Sequence, residues 1–237
     1  MRMLAALPLL VCLAAPVWAA DTLSTSAGGV KITPVRHGTV LLEIGGKAWY
    51  VDPWSQADFS SLPKADVILI TDVHGDHMDP EAIAKIRKPS TVIVAPAAVA
   101  QTVTDAKTLA NGKSMTLEGV KIEAIPMYNL QRGPEPGKLF HDKGRGNGYV
   151  LNVGGKRIYF SGDTEVTPEM KALKNIDVAF VCMNLPYTMP PDEAAAGVKA
   201  FAPKVVYPYH YRGSDLAVFE NALKGSGIEV RLRGWYE

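Results

Sequence analysis

The sequence predicts a layered α/β domain, because strand pairs and short helices alternate along it. Three apolar strands, over residues 30–36, 40–44 and 48–51, follow one another closely near the start of the chain. From residue 65 onward, short apolar runs alternate with helical segments, and the glycine pair at 154–155 marks a further hairpin. This interleaving favours helices packed on sheets that contain substantial antiparallel pairing.

Local signals place the other elements. Gly45-Gly46 is a hairpin turn between the second and third strands. The apolar run 67–70 predicts a buried strand, and Asp79-Pro80 predicts the N-cap and first turn of a helix that ends near Arg87. Further strands are predicted over residues 91–94, 114–117, 120–125, 149–153, 157–161, 177–181 and 204–209, and further helices near Pro96 and over residues 168–173 and 192–201.

Residues 1–19 have the pattern of a secretory signal peptide. Arg2 supplies a basic head, residues 4–13 an apolar core, and Val17-Trp18-Ala19 a cleavage site between small residues. The apolar core is too short to span a membrane. We therefore expect an exported protein, periplasmic or secreted and without stable membrane insertion, whose single mature domain covers residues 20–237.

Composition argues against several classes of partner. Lysine and arginine total 25 against 24 aspartates and glutamates, and loss of Arg2 would leave 24 against 24. Such a balance gives no electrostatic footprint for nucleic acid or anionic membrane, so we expect a small-molecule substrate. Of the two cysteines, Cys12 lies in the signal peptide, and Cys182 is flanked by apolar residues. One thiol cannot form an internal disulfide, and its surroundings indicate a buried strand position rather than a nucleophile.

The most informative stretch is residues 71–79, Thr-Asp-Val-His-Gly-Asp-His-Met-Asp, which follows the buried strand directly. Imidazole and carboxylate are ligands that zinc, iron and manganese accept. Asp72 and His74, two residues apart, point the same way from an extended segment. The adjacent Asp76 and His77 diverge, which favours two neighbouring metals over one. The alternative is a solvated turn that only caps the helix.

Two other strands also end in residues with ligand chemistry. Asp163 follows Gly162 at one strand end, and His210 follows the last apolar strand. A Gly-Asp pair alone is a common turn, but functional groups collect on loops held by a rigid sheet, so the recurrence indicates one site. His37, at a turn near the start, is more typical of a structural or exposed histidine than of a ligand.

The longest irregular stretch, residues 126–148, contains a further candidate ligand. The candidates are His141 and Asn129, and we favour His141 because imidazole binds these metals better than an amide does. Three of the loop's cations either meet an anionic substrate or are simply solvated: Arg132, Lys138 and Arg145.

These motifs resemble those of the metallo-β-lactamase-fold hydrolases. The stretch 71–79 is similar to their His-x-His-x-Asp-His motif with Asp72 in place of the first histidine, and Gly162-Asp163-Thr164 is similar to their Gly-Asp-Thr turn. The strand ending in Asp52-Pro53 has a comparable place in that family. The resemblance covers residues 28–237 and implies a four-layer αββα sandwich with the site along one edge of two sheets.

The resemblance also implies a ligand set. One metal would be held by Asp72, His74 and His141, the other by Asp76, His77 and His210, and Asp163 would bridge the two. We expect two zinc ions, with manganese or iron as alternatives, because the Asp72 carboxylate makes the first site harder and more anionic than three histidines would.

The implied activity is hydrolysis by a hydroxide held between the metals, with an ester, lactone, lactam or phosphodiester as substrate. Asp76 or Asp163 would transfer protons during catalysis, and activity would fall below about pH 6 as the imidazole ligands become protonated.

Asp52-Pro53 and Tyr128-Asn129 resemble in particular a branch of uncharacterised exported zinc-dependent hydrolases related to ascorbate-6-phosphate lactonase. Two alternatives belong to other functional classes. The first is an exported metal- or ligand-binding protein with an incomplete first site and no catalysis. The second is a di-iron redox enzyme of the same fold, against which the lack of a flavin-binding or rubredoxin-like segment argues.

Overall fold

The computed structural model describes residues 20–236 and contains two seven-stranded β-sheets. The first sheet is built from the first half of the described chain, in sequence order. Its strands are β1 (Asp21–Thr25), β2 (Gly28–Arg36), β3 (Thr39–Ile44), β4 (Lys47–Val51), β5 (Val67–Leu69), β6 (Val92–Ala95) and β7 (Lys107–Thr108).

The second sheet is built from the second half of the chain, and its spatial order runs from β14 to β8. Its strands are β8 (Ser114–Leu117), β9 (Val120–Met127), β10 (Gly146–Val153), β11 (Lys156–Phe160), β12 (Val178–Cys182), β13 (Val205–Tyr209) and β14 (Glu229–Val230). The helices are α1 (Pro80–Ile86), α2 (Ala97–Ala100), α3 (Pro168–Lys171), α4 (Pro191–Phe201) and α5 (Leu216–Leu223).

Side-chain alternation along the strands produces the layers. In β3, Val40 and Leu42 join the core shared by the two sheets, whereas Leu41 joins a second core with Ile83 and Ile86 of α1. Successive side chains of a strand point to opposite faces, so a central strand buried on both faces is apolar throughout. Residues of α4 and α5 pack into the shared core from the second sheet. The result is the expected αββα sandwich.

Parallel pairing brings the candidate site residues to one edge. Strands β4, β5 and β6 run parallel to one another, as do β11, β12 and β13. The carboxyl ends of neighbouring parallel strands meet at the same edge of a sheet. Asp52, the 71–79 stretch, Asp163 and His210 all follow such ends.

The two sheets touch directly at this edge, which we term the seam. The amide of Asn147 donates to the carbonyl of Thr71 at 2.9 Å. The amide of His210 donates to the carbonyl of His37 at 3.0 Å. A Cβ at Gly146 would lie 2.8 Å from the carbonyl oxygen of Thr71, so the close approach requires glycine. Backbone contacts across the seam therefore fix the loops of both sheets relative to each other.

Local predictions fare well where the signal is local. The Asp79 carboxylate accepts hydrogen bonds from the amides of Glu81 and Ala82, which confirms the predicted N-cap of α1. Strands β1, β7 and β14 and helix α5 were not predicted, and the helix near Pro96 is only one turn long. The proposed signal peptide lies outside the described residues. Within residues 20–236, no helix combines the length and apolarity that crossing a bilayer requires.

Candidate metal centre

All five histidines of the chain lie in one cluster at the seam. They surround three carboxylates, those of Asp72, Asp76 and Asp163, within ion-pair distance. Every residue that the sequence analysis proposed as a metal ligand is in this cluster. Three groups of three donors can be distinguished. They are the inner group, His77, Asp163 and His210, the outer group, Asp72, His74 and His141, and a third group, His37, Asp76 and His210, which shares His210 with the inner group.

The inner group is buried and its donor atoms face one another. Nε2 of His77 lies 3.4 Å from Oδ2 of Asp163, and Nδ1 of His210 lies 3.4 Å from Oδ1. Among the described residues, Nε2 of His77, Nδ1 of His210 and Oδ1 of Asp163 have no hydrogen-bonding partner although all three are buried. Burying a polar atom without a partner is costly, so three that converge on one point fit a bound cation.

Charged partners keep the inner group ionised in spite of its burial. Burial opposes ionisation of His77, but the carboxylates of Asp163 and Asp52 outweigh it and raise the pKa of His77 well above its ordinary value. Burial likewise opposes ionisation of Asp163, yet His210 and His77 hold its pKa well below the usual range. The metal-free protein thus keeps an imidazolium and a carboxylate together where a cation would replace the proton.

Asp163 also joins the inner group to the outer one. Its Oδ2, already 3.4 Å from Nε2 of His77, lies 3.4 Å from Nε2 of His141. Nε2 of His141 is another buried nitrogen without a hydrogen-bonding partner in the described chain. One carboxylate oxygen that faces a nitrogen from each group has the placement of a bridging ligand.

The outer group is more open. Nδ1 of His74 lies 3.0 Å from Oδ2 of Asp72, and Nε2 of His141 lies 3.9 Å from the same oxygen. The His74 side chain is 44% exposed, whereas those of Asp72 and His141 are fully buried. The group therefore forms the solvent-facing side of the cluster.

Arg145 occupies both oxygens of Asp72. Its Nε donates to Oδ1 at 3.0 Å and its Nη2 to Oδ2 at 2.7 Å, a two-pronged pair. Burial would raise the pKa of Asp72, but hydrogen bonds from His74 and Arg145 hold it well below the usual range. The pair has no net charge, like the neutral histidine it replaces, so Arg145 cancels the extra negative charge expected from Asp72.

One histidine of the inner group and one of the outer group are each held by a hydrogen bond to Nδ1, the ring nitrogen that faces away from the cluster. Oδ2 of Asp52 lies 2.8 Å from Nδ1 of His77 and also accepts from the Thr71 hydroxyl, while its Oδ1 accepts from the Thr71 amide. A carboxylate only accepts, so Nδ1 of His77 donates, and loss of the other ring proton would leave the Nε2 lone pair facing the cluster. Oδ1 of Asn129 lies 2.6 Å from Nδ1 of His141. Of the two candidate ligands of the long loop, His141 thus faces the cluster, and Asn129 holds the opposite side of its ring.

His37 lies inside the cluster, although its sequence position suggested a structural or exposed turn histidine. The hydroxyl of Tyr236 accepts from the amides of Tyr211 and Arg212 at 3.1 and 2.9 Å, so its own hydrogen goes to Nδ1 of His37, 2.5 Å away. Nε2 of His37 then carries the ring proton and donates to Oδ2 of Asp76 at 2.9 Å. Burial lowers the pKa of His37 to about 4, which keeps the ring neutral. His37 therefore positions Asp76 instead of offering a lone pair.

Asp76 lies beside the two histidines with which the sequence grouped it. Its Oδ1 is 3.9 Å from Nε2 of His77, and its Oδ2 is 3.2 Å from Nε2 of His210. Asp163 approaches the other nitrogen of the His210 ring. The Asp76 side chain is 31% exposed, the most open of the three carboxylates in the cluster. It is thus the carboxylate with the most direct access to solvent; burial would raise its pKa, but hydrogen bonds from His210 and His37 hold that pKa well below the usual range.

Ion pairs account for the remaining cations of the long loop. Arg132 pairs with Glu193 at 2.7 Å and with Glu165 at 3.2 Å, and Lys138 pairs with Glu135. Cys182 is a buried free thiol whose pKa burial raises to about 12, which fits the predicted structural role.

Comparison with known proteins identifies the family. Residues 31–210 match the sequence model of the Beta-lactamase superfamily domain. A UPF0173 metal-dependent hydrolase of Thermococcus kodakarensis is 32% identical over 196 residues, 77% of this chain and 84% of the relative. The chain belongs to the metal-dependent hydrolases of the β-lactamase superfamily. The resemblance inferred from the 71–79 and 162–164 motifs is thereby confirmed.

Solved structures agree with this membership. The crystal structure of a Parabacteroides distasonis protein, named as a metal-dependent hydrolase, is 43% identical with a TM-score of 0.87, covering 92% of this chain and 99% of that one. Igni18, a metallo hydrolase of the archaeon Ignicoccus hospitalis, has a TM-score of 0.72 over 86% of this chain and 94% of its own. At 24% identity it supports the fold alone.

Proposed function

We propose that this hydrolase works with two zinc ions, one of which the inner group would hold and the other the outer group, with Asp163 as a ligand of both. We also propose that it cleaves an ester, lactone, lactam or phosphodiester. The observation that carries the proposal is the set of four buried donor atoms without a hydrogen-bonding partner in the described chain: Oδ1 of Asp163 and the histidine nitrogens around its carboxylate, Nε2 of His77, Nε2 of His141 and Nδ1 of His210. Imidazole nitrogens with few carboxylates suit zinc, while manganese or iron would suit the outer group, which contains Asp72.

Zinc ions bound in such a centre lower the pKa of coordinated water and polarise the oxygen under attack. The chain's own residues have separate parts. Asp163 holds the two groups in register through one carboxylate. Asp76, the most exposed of the three carboxylates and fixed by His37, accepts a proton from the attacking water or passes one to the leaving group. Asp52 and Asn129 keep His77 and His141 aimed at the cluster.

The first experiment is elemental analysis of protein purified without chelators. We expect close to two zinc equivalents per chain, and fewer than one in Asp163→Ala. Asp177→Ala is the matched control, because Asp177 is also a buried aspartate but pairs with Lys156 and Lys204 away from the cluster. A protein that neither contains metal nor takes up added zinc or manganese would overturn the proposal.

Catalysis is tested separately on chromogenic esters, lactones, lactams and phosphodiesters. We expect hydrolysis of at least one class, abolished by chelation and restored by zinc. Full metal content without turnover of any class would instead favour an exported metal-binding protein. Export is part of the proposal and rests on residues 1–19. Mass spectrometry of protein recovered from the periplasm or medium should show an N-terminus at residue 20.

A further inference from the structure

Large apolar side chains are exposed on two loops that meet at Asn129, the hydrogen-bonding partner of His141. Leu130 is 50% exposed, Leu185 48% and Tyr187 46%, and they make up three of the five large hydrophobic residues recorded as exposed among residues 20–236. The other two are Val218 and Leu232. Single exposed apolar residues are ordinary, but a concentration of them at a candidate site marks a binding surface.

Hydrogen bonds join the two loops that carry these side chains. The amide group of Asn129, whose Oδ1 contacts His141, donates to the carbonyl of Tyr187 at 2.9 Å. Phe140, which precedes His141, meets the ring of Tyr187 edge-on with 5.1 Å between centroids. Leu130 follows Asn129 directly. The loops that carry the apolar side chains therefore meet at Asn129, the residue that orients His141.

Exposure here is not a result of a slack loop. The Glu165 carboxylate, 1% exposed, accepts the amides of Leu130 at 3.0 Å, Gln131 at 3.2 Å and Arg132 at 2.8 Å. The Arg132 guanidinium pairs with the same carboxylate. Several charge-assisted hydrogen bonds thus fix the backbone that presents Leu130 to solvent. An apolar surface that is already rigid loses little conformational entropy when it binds a ligand.

We propose that Leu130, Phe140, Leu185 and Tyr187 form an apolar rim that binds an uncharged alkyl or aryl group of the substrate. The inference rests on the proposed function and narrows its substrate class to hydrolysable compounds with an apolar group close to the scissile bond. Each cation of this loop is already paired with a carboxylate, so the loop offers the ligand apolar side chains rather than an unpaired cation: Arg132, Lys138, Lys143 and Arg145.

The test compares chain lengths. Zinc-loaded enzyme is assayed on p-nitrophenyl acetate, butyrate, hexanoate and octanoate, and kcat/KM should rise about twofold to fourfold per methylene, the gain expected when part of each methylene leaves water. In Leu130→Ser and Leu185→Ser the ratio of octanoate to acetate should fall at least threefold. Val218→Ser, a comparably exposed residue on α5, is the control and should keep the wild-type ratio.

A binding measurement keeps the rim and the metal centre distinguishable. Acetohydroxamate and octanohydroxamate share one metal-binding group, so calorimetry on zinc-loaded protein isolates the contribution of the chain. Tighter binding of octanohydroxamate that is lost in Leu130→Ser supports the rim even if no ester is hydrolysed. Equal binding and equal kcat/KM across the series would overturn the rim and leave the hydrolase proposal intact. Binding of neither hydroxamate would overturn both.

Discussion

The inner and outer groups of the centre differ in how far the protein satisfies their donor atoms. In the inner group, His77, Asp163 and His210 each present a buried polar atom without a partner in the described chain. In the outer group, Asp72 is already paired by Arg145 and His74, and only Nε2 of His141 is left in that condition. An unsatisfied buried polar atom costs about 1–3 kcal/mol. A bound cation should therefore stabilise the inner group more than the outer group.

The largest effect should come from removing one histidine from each group. Zinc titration of chelator-treated wild-type protein should show a tight step and a weak one. His77→Ala should weaken the tight step more than ~100-fold. This exceeds the 10–100-fold typical for loss of a residue that only hydrogen-bonds a metal ligand. His74→Ala should abolish only the weak step, because His74 is 44% exposed and outside the inner group. Loss of the tight step in His74→Ala would contradict the comparison.

The residues behind the histidines should show the same division at smaller magnitude. Asp52→Asn removes the charge that fixes Nδ1 of His77 and should weaken the tight step about 10- to 100-fold. Asn129→Ala removes the partner of His141 and should weaken only the second step. Both are read from the same calorimetric titration, and equal effects on both steps would mean that the groups do not act separately.

Arg145 tests why the outer group is already satisfied. In Arg145→Gln the Asp72 carboxylate loses its two-pronged partner, so zinc affinity at the second step should rise on the order of tenfold. The free energy of unfolding of metal-free protein should fall by about 2 kcal/mol, less than for a fully buried pair because Arg145 is 23% exposed. Arg157→Gln is the control, since Arg157 is 26% exposed and pairs with Glu123 elsewhere. Unchanged second-step affinity would show that Arg145 does not compete with the cation.

The smallest effect concerns pH. The pKa of His77 is raised in the folded metal-free protein, so its stabilising contribution is complete below the unfolded value near 6.5 and is lost as pH rises toward the folded value. Metal-free protein should therefore melt at a lower temperature at pH 8 than at pH 6. Zinc-loaded protein should show the opposite trend, because zinc requires the neutral imidazole. Parallel trends in the two forms, measured by differential scanning calorimetry, would contradict this.

Sequence was sufficient for the parts of the site that depend on strand ends. Asp72, Asp76 and Asp163 follow strands or turns that local patterns predict, and so do their neighbouring histidines. The parts it missed depend on contacts between distant residues. Asp52 and His77 are 25 positions apart, and Arg145 and Asp72 are 73 apart. No local pattern connects such pairs.

His37 illustrates the same limit. Its role depends on Tyr236, 199 positions away, and on Asp76, 39 positions away. The rarity of histidine, which supported the other four as one site, was also a signal for His37. For the fold, α5 was also recoverable, because Asp215 caps it and Phe219 and Leu223 recur at helical spacing. The short strands β7 and β14, two residues each, have no periodicity to recognise.

The division of the chain into two consecutive sheets gives the seam a further consequence. Residues up to Asn111 supply two donors of the outer group and one of the inner group, and residues after it supply one and two. Neither half supplies all three donors of the inner or the outer group, so each ion would bind residues of both halves. Fragments divided at Asn111-Gly112 should reassemble more tightly with zinc than without it. The supply of zinc would thus determine how strongly the two sheets are held together.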